Sequence, residues 1–240
     1  MQVTYNDIHI WLTSLDRSVD EAEELRLLLS SDEKERADRF HFLKDKIHYT
    51  VGRSVLRQLL ARYIQCDPVE IQFDYNQYGK PCLASVATTG AKLPELLQFN
   101  LSHSGTLALY GFSWERSIGV DIEYMRRNVA FLDIAQGFFS PSEIQILNCQ
   151  PNSQEIAKAF YNCWTRKEAY IKAHGMGLSL PLDSFDVTLA PGEAAQLLAT
   201  RPDSEDAARW TLTALSVPDG YAAAIAVEGQ QWELSSFSFP

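Results

Sequence analysis

Gly119-Val120-Asp121-Ile122-Glu123 lies at the middle of a 240-residue chain, directly after Trp114-Glu115-Arg116-Ser117-Ile118. Ile118, Val120 and Ile122 alternate with Gly119, Asp121 and Glu123, the period of two that marks a β-strand. Successive strand side chains leave on opposite faces, so the aliphatics share one face and the two acids share the other. Neighbouring carboxylates repel, and a hard divalent cation relieves that better than water does. Oxygen ligands at this spacing suit Mg²⁺ or Mn²⁺. Taken alone, so short a match reads more readily as a solvated strand face carrying two acids.

Composition narrows the classes around this strand. Hydrophobic residues make up 46% and charged residues 22%, an ordinary globular balance. A formal net charge of −10 argues against nucleic acid or an anionic membrane as partner, and leaves room for a local basic site for a phosphorylated ligand. Cys66, Cys82, Cys149 and Cys163 show no C-x-x-C spacing and read as free thiols of a reducing compartment. The N-terminus carries no basic and apolar leader pattern, and no stretch is apolar enough to span a bilayer, so a cytoplasmic protein is expected.

Upstream of the central strand, Leu107 to Trp114 is an apolar strand, antiparallel to one ending in Phe99-Asn100-Leu101-Ser102-His103-Ser104-Gly105. That polar end is either a plain hairpin turn or an anion cradle of hydroxyls, an imidazole and free N–H groups. Ile71, Phe73 and Tyr75 form a strand, Gln77-Tyr78-Gly79-Lys80-Pro81 a turn, and 84–96 a surface loop around Thr88-Thr89-Gly90. Residues 3–13 read as a first strand and Val19 to Leu29 as a helix. Ser30-Ser31-Asp32-Glu33 matches a capping box opening a helix through Arg36, Ala37 and Phe40. A longer helix runs from about Leu43 to Ile64, with Arg53 and Arg57 one turn apart as an exposed basic edge.

Downstream, Ser140-Pro141-Ser142-Glu143 is a second capping box, with proline at the first helical position. A cap at Ser153 begins a helix through Ala157, Phe160, Trp164 and Ile171, stopped by Gly175 and Gly177. Phe185, Val187 and Leu189 alternate, 190–206 reads as loop and short helix, and Trp210 to Leu215 and Tyr221 to Val227 read as strands. The outline is α+β and allows two similar halves, although no sequence repeat relates them.

The second chemistry-bearing stretch is Trp164-Thr165-Arg166-Lys167-Glu168-Ala169-Tyr170-Ile171-Lys172-Ala173. Glu168 and Lys172 are four apart and share a helix face, which by itself is a surface ion pair worth about 0.3–0.5 kcal/mol. Set beside Asp121 and Glu123, they make a metal–phosphate site. A cation there could act as a Lewis acid on a phosphoryl oxygen, and a carboxylate beside it could take a proton from a hydroxyl nucleophile.

Gly-Val-Asp-Ile-Glu at 119–123, followed some forty residues later by Trp164-x-x-Lys167-Glu168-Ala169-x-x-Lys172, resembles the signature pair of 4′-phosphopantetheinyl transferases. Gly175-Met176-Gly177-Leu178-Ser179-Leu180-Pro181, Tyr78-Gly79-Lys80-Pro81 and Asn100-Leu101-Ser102-His103-Ser104-Gly105 fit in the same order, spread over residues 50–185. The length resembles the surfactin-synthetase-activating (Sfp-type) branch, not the short trimeric holo-acyl-carrier-protein synthases, and the details look closest to cyanobacterial members. The resemblance implies two pseudo-symmetric α+β halves, each a small antiparallel sheet packed with helices. They would be 1–115 and 116–240, the second carrying the metal site, with the active site between them and the protein a monomer.

The reaction it implies moves 4′-phosphopantetheine from coenzyme A to a serine of an apo acyl or peptidyl carrier protein, leaving adenosine 3′,5′-bisphosphate. Carried over position by position, Asp121, Glu123 and Glu168 would hold Mg²⁺ (or Mn²⁺) on the pyrophosphate, and Glu168 would serve as base for the serine. Lys172 would steady a phosphate, Ser102 and His103 would bind coenzyme A phosphates (His103 the 3′-phosphate), and Lys80 and Pro81 would lie along the nucleotide. Arg53 would be a phosphate contact on the long helix. Lys34, Arg36 and Arg39 stand where some members carry two lysines, so no individual contact is assigned there. An acidic chain facing acidic carriers requires an apolar groove with local basic residues, for which Arg126 and Arg127 are candidates. The rival classes are a metal-dependent pyrophosphate hydrolase, which needs no carrier, and a binding module without turnover.

Overall fold

The computed structural model describes residues 3–84, 96–126, 129–201 and 203–240. One sheet takes β1 (Asp7–Ser14), β4 (Leu97–Ser104), β5 (Leu107–Trp114) and β11 (Glu233–Ser238) in the order β11-β1-β5-β4. A second takes β6 (Ile118–Tyr124), β9 (Trp210–Ala214) and β10 (Tyr221–Glu228) in the order β6-β10-β9. Two small ribbons pair β2 (Phe73–Tyr75) with β3 (Pro81–Leu83), and β7 (Phe185–Val187) with β8 (Leu197–Thr200). Helices α1 (Val19–Arg26), α2 (Ser31–Asp38) and α3 (Leu43–Ile64) precede β2, and α4 (Phe131–Phe138), α5 (Pro141–Asn148) and α6 (Ser153–His174) follow β6.

Strand alternation sorts these elements into layers. On β1, Trp11 turns to α3, while Ile8 and Ile10 turn to the second sheet. Trp11, Phe99, Tyr110 and Phe112 meet Val51, Val55 and Leu59 of α3. Ile8, Ile10 and Leu109 meet Ile118, Val120, Ile122 and Ile225 between the sheets. Ala169 and Ala173 of α6 close on Ala224 and Ala226 from the far side. The result is helices, sheet, sheet, helices. Each fully buried Val, Ile or Leu contributes about 1.5–3 kcal/mol, which ties the two sheets firmly face to face. Gly111 permits that approach, since a Cβ there would stand 2.8 Å from Val120 Cγ1 and 2.9 Å from Ile118 Cδ1.

The α+β class stands as expected, and α3 and β5 have the bounds read from the sequence. Four details differ. The cap of α6 is Asn152, whose side chain accepts from the N–H groups of Gln154 and Glu155, so Ser153 lies inside the helix. Within 190–206, read as loop and short helix, β8 pairs with β7. Helix α4 and strand β11 were not among the expected elements. β11 pairs parallel to β1, in otherwise antiparallel sheets, and carries residues 233–238 into the sheet nearest α3. The loop read over 84–96 lies outside the described residues apart from its two ends.

The exposed basic edge read at Arg53 and Arg57 is a correction. The two residues are 9% and 1% exposed and converge on Glu33. Arg53 Nε lies 2.6 Å from one carboxylate oxygen and Arg57 Nε 2.6 Å from the other. Glu33 is the capping-box acid of α2 and also accepts from the Ser30 N–H at 3.1 Å. Burial pushes its pKa up, but the two guanidiniums more than offset this and hold it below the ordinary glutamate range. The device recurs downstream of β6. Glu143, the capping-box acid of α5, accepts from the Ser140 N–H at 2.9 Å and pairs with Lys167 of α6 at 2.8 Å, both fully buried. In both places a box glutamate of a short helix neutralises cationic side chains on the 22-residue helix that follows. That is a structural echo where no sequence repeat is visible.

Candidate active site

β6 is the edge strand of its sheet, so the N–H groups on its open side have no strand partner. Side chains of β4 supply the acceptors instead. Asn100 Oδ1 accepts from Val120 N–H at 2.9 Å, Ser102 Oγ from Ile122 N–H at 3.4 Å, and Ser104 Oγ from Tyr124 N–H at 3.1 Å. The two serines then donate onward, Ser102 to Asp121 at 2.8 Å and Ser104 to Glu123 at 2.7 Å. Asn100-x-Ser102-x-Ser104 is thus a zipper that closes an open edge and orients two carboxylates in one stroke. His103 points off the opposite face of β4 and is exposed. Although the residue as a whole is exposed, loss of water around its ring and then the Lys172 charge push its pKa below the ordinary imidazole value.

The acids come together because Gly119 lets α6 lie against β6. A Cβ at Gly119 would fall on the Ala169 carbonyl oxygen and the Ala173 nitrogen, so no other residue permits this approach. One turn of α6 then brings Glu168 and Lys172 over Asp121 and Glu123. Lys172 Nζ lies 2.6 Å from Asp121 Oδ1 and 3.0 Å from Ser102 Oγ. Burial raises the pKa of Glu168; Lys172 opposes this, and Asp121 and Glu123 add to it. Burial and Asp121 likewise raise that of Glu123, against the Ser104 hydroxyl and Lys172. The three carboxylates crowd one another, and one ammonium is too little charge to relieve them.

The donor set suits a hard divalent cation. Asp121 is 2% exposed and its Oδ2 is buried without a hydrogen-bond partner, which costs free energy unless something positive meets it. Among the described residues no three His, Cys, Asp or Glu side chains are grouped closely enough to hold a metal ion by themselves, Asp121, Glu123 and Glu168 included. Mg²⁺ does not need such a group, because it keeps waters and is commonly held by one or two carboxylates plus substrate phosphate.

Other residues singled out in the sequence hold the walls. Lys80 Nζ donates to the Ile118 carbonyl at 3.0 Å and the Ala173 carbonyl at 3.1 Å, and burial lowers its pKa to about 8. Its ammonium ties the β2–β3 ribbon to the start of β6 and the end of α6, beside Pro81 in β3. Arg53 faces Glu33 and the ring of Phe73, 4.3 Å from its guanidinium carbon. Asn76, which the sequence reading passed over, donates to the Gly175 carbonyl at 2.8 Å and accepts from the Tyr78 and Lys80 N–H groups. Its signal was present, since an asparagine two residues before a turn commonly bonds the backbone ahead of it. Gly175 ends α6 at φ 71°, a conformation that favours glycine. Arg126 is exposed, and Arg127 lies outside the described residues.

Known proteins share this arrangement of sequence. Residues 117–226 match the 4′-phosphopantetheinyl transferase superfamily, and residues 17–111 match the family described as 4′-phosphopantetheinyl transferase, N-terminal. The 4′-phosphopantetheinyl transferase HetI of Nostoc sp. is 38% identical over 229 residues, 95% of this chain and 90% of that one. The 4′-phosphopantetheinyl transferase Sfp of Bacillus subtilis is 35% identical over 192 residues, 79% of this chain and 80% of that one. The solved holo-[acyl-carrier-protein] synthase of Thermotoga maritima overlaps 48% of this chain and 63% of its own, at TM-score 0.38 and 19% identity, too loosely to bear on the fold. With likeness of this strength running along nearly its whole length, the chain belongs to the 4′-phosphopantetheinyl transferases.

Proposed function

We propose that the cluster of Asp121, Glu123, Glu168 and Lys172 is where this chain carries out its transfer, with coenzyme A as one substrate and an acyl or peptidyl carrier protein as the other. As a member of its family, the enzyme moves 4′-phosphopantetheine from coenzyme A to a carrier serine and releases adenosine 3′,5′-bisphosphate. The observation that carries the assignment of the site is the buried, unpartnered Asp121 Oδ2 beside two further crowded carboxylates. Asp121, Glu123 and Glu168 would hold Mg²⁺, or Mn²⁺ in its place, and the bound cation would supply Lewis-acid neutralisation of the pyrophosphate. Glu168 accepts the proton of the serine hydroxyl, and its raised pKa brings its basicity closer to that task. Lys172 holds a phosphate oxygen. Ser102 keeps Asp121 in its rotamer and lies at the phosphates' edge, while His103, on the far face of β4, receives the 3′-phosphate. Lys80 and Pro81 line the nucleotide's path as a rigid wall. Arg53, fixed on Glu33, supports α3 behind it. The active site lies between halves 1–115 and 116–240, which together act as a monomer in the cytoplasm; among the described residues no helix is long and apolar enough to cross a membrane.

A groove of about 780 Å³ opens where β6 ends, lined by Met125, Arg126, Val129, Phe131, Leu132 and Ile156. Its apolar floor, with the exposed Arg126 at its edge, suits an acidic carrier helix and reconciles an acidic chain with an acidic partner. Arg126→Glu raises the KM for the carrier and leaves that for coenzyme A alone; an unchanged carrier KM removes the groove from recognition.

The deciding experiment is the intact mass of an apo carrier protein after incubation with the enzyme, coenzyme A and Mg²⁺, with EDTA in a parallel tube. A gain of one phosphopantetheine that EDTA abolishes is the expected result. Cleavage of coenzyme A without a carrier would mean hydrolysis instead, and an unchanged tube would mean binding without turnover. Repeating the assay with dephospho-coenzyme A tests His103: its loss penalises coenzyme A selectively if it receives the 3′-phosphate, and both substrates equally if it does not.

A further inference from the structure

Resting on that reading of the site, we propose that Lys172 is the cation's stand-in: without metal and coenzyme A its ammonium occupies the Asp121 carboxylate, and it departs for a phosphate only when the two bind together. The geometry is direct. Lys172 Nζ lies 2.6 Å from Asp121 Oδ1 and 3.0 Å from Ser102 Oγ, and Asp121 has no other cation within ion-pair distance among the described residues. The Asp121 side chain is 3% exposed, while that of Lys172 is 28% exposed. The carboxylate cannot leave, and the ammonium can. A lysine is a compact charge on a flexible four-carbon stem, suited to swing from one anion to another.

The consequence is electrostatic. A divalent cation and an ammonium at contact distance from one carboxylate repel strongly in a partly buried site. Metal alone must therefore displace Lys172 into water, with nothing to receive it. Coenzyme A supplies the receiver, since its phosphates take the ammonium and also offer oxygens to the metal. Lys172 thus couples the two ligands. By reciprocity, coenzyme A tightens the metal by the same factor that the metal tightens coenzyme A, commonly about 5–150-fold for such couplings. A catalytically competent cation is thereby kept off the enzyme until the substrate that needs it is present.

The test requires no turnover. Mn²⁺ binding to the full chain is measured by the electron paramagnetic resonance signal of free Mn²⁺, with and without coenzyme A and with no carrier present. Wild type is expected to bind Mn²⁺ weakly alone and to gain at least about fivefold with coenzyme A. Lys172→Met, with Lys172→Gln as a second neutral variant, is expected to bind Mn²⁺ alone about tenfold more tightly than wild type and to gain less from coenzyme A. Lys172→Arg keeps the charge and stays weak. Neutral variants that bind Mn²⁺ no more tightly than wild type overturn the inference, as does a wild-type affinity indifferent to coenzyme A. If wild type takes up no Mn²⁺ even with coenzyme A, the cation reading itself falls, and the stand-in with it.

Discussion

Asp121→Asn is expected to lower kcat/KM for transfer by about 10²–10³-fold or more, the scale of losing one preorganised electrostatic group, while the protein stays folded. The substitution is nearly isosteric, so the packing of Ile118, Val120 and Ile122 on the other face of β6 is untouched. The backbone register with β10, where residue 121 pairs with Ala224, is independent of the side chain. What changes is charge. The amide can still accept from Ser102, but it gives Lys172 no counter-ion and offers a cation one neutral oxygen in place of a carboxylate. The stability cost is small because the orphaned ammonium is partly exposed and can reach water. Transfer rates, with melting temperature and circular dichroism as controls, check both halves of the expectation. Turnover within about tenfold of wild type would remove Asp121 from the mechanism.

That contrast between activity and stability follows the line between what the sequence disclosed and what it hid. The central strand was legible because Ile118, Val120 and Ile122 form one apolar face and Gly119, Asp121 and Glu123 the other, and the fold buries them on those terms. Helix α3 was legible for its length and periodicity, and α5 for its capping box. The unread pieces depend on distant partners. Four of the six residues of β11 are serine or glutamate, and what makes it a strand is the parallel ladder with β1 at the other end of the chain, which no local period records. Helix α4 is preceded by Ala130, which offers no side-chain cap, and contains Gly137, so its start carried no signal.

The same division runs through the site. Asp121, Glu123, Glu168 and Lys172 of the proposed site were readable by residue type and spacing, and the structure places Lys172 on Asp121. The work of Asn100, Ser102 and Ser104 did not, because their acceptors and donors face the open edge of a strand some twenty residues later. Read locally, small polar residues before Gly105 are a turn or an anion cradle. In the structure Gly105 does make the turn, at φ 59°, and the serines serve as the missing strand. Arg53 and Arg57 were misread for the mirror-image reason. Glu33 already had a local explanation as a capping-box acid, so nothing in the sequence called for cations 20 and 24 residues away.

Glu33→Gln is accordingly expected to destabilise the fold by about 3–5 kcal/mol, the range for breaking a buried ion pair from one side. The side chain keeps its shape and can still accept from Ser30, but two guanidiniums lose their counter-ion. Neither can escape as Lys172 can. The Arg57 side chain is 1% exposed and also donates to the Pro68 and Ile71 carbonyls, and Arg53 is held against Phe73. The damage therefore falls on the junction of α2, α3 and β2, well away from the carboxylates of the site. The pH dependence has a definite sign. Glu33 has a pKa below its unfolded value, so its stabilisation is fully present above the ordinary glutamate range and is lost as pH falls through the lower folded value. Wild type should consequently keep its advantage over Glu33→Gln through the ordinary glutamate range and lose it only at pH below that range. Urea midpoints at neutral and acidic pH measure this, with exposed Asp32→Asn as the control for a charge lost nearby. A deficit under about 1 kcal/mol at neutral pH would mean that water reaches the two arginines and that the pair contributes no more than a surface bridge.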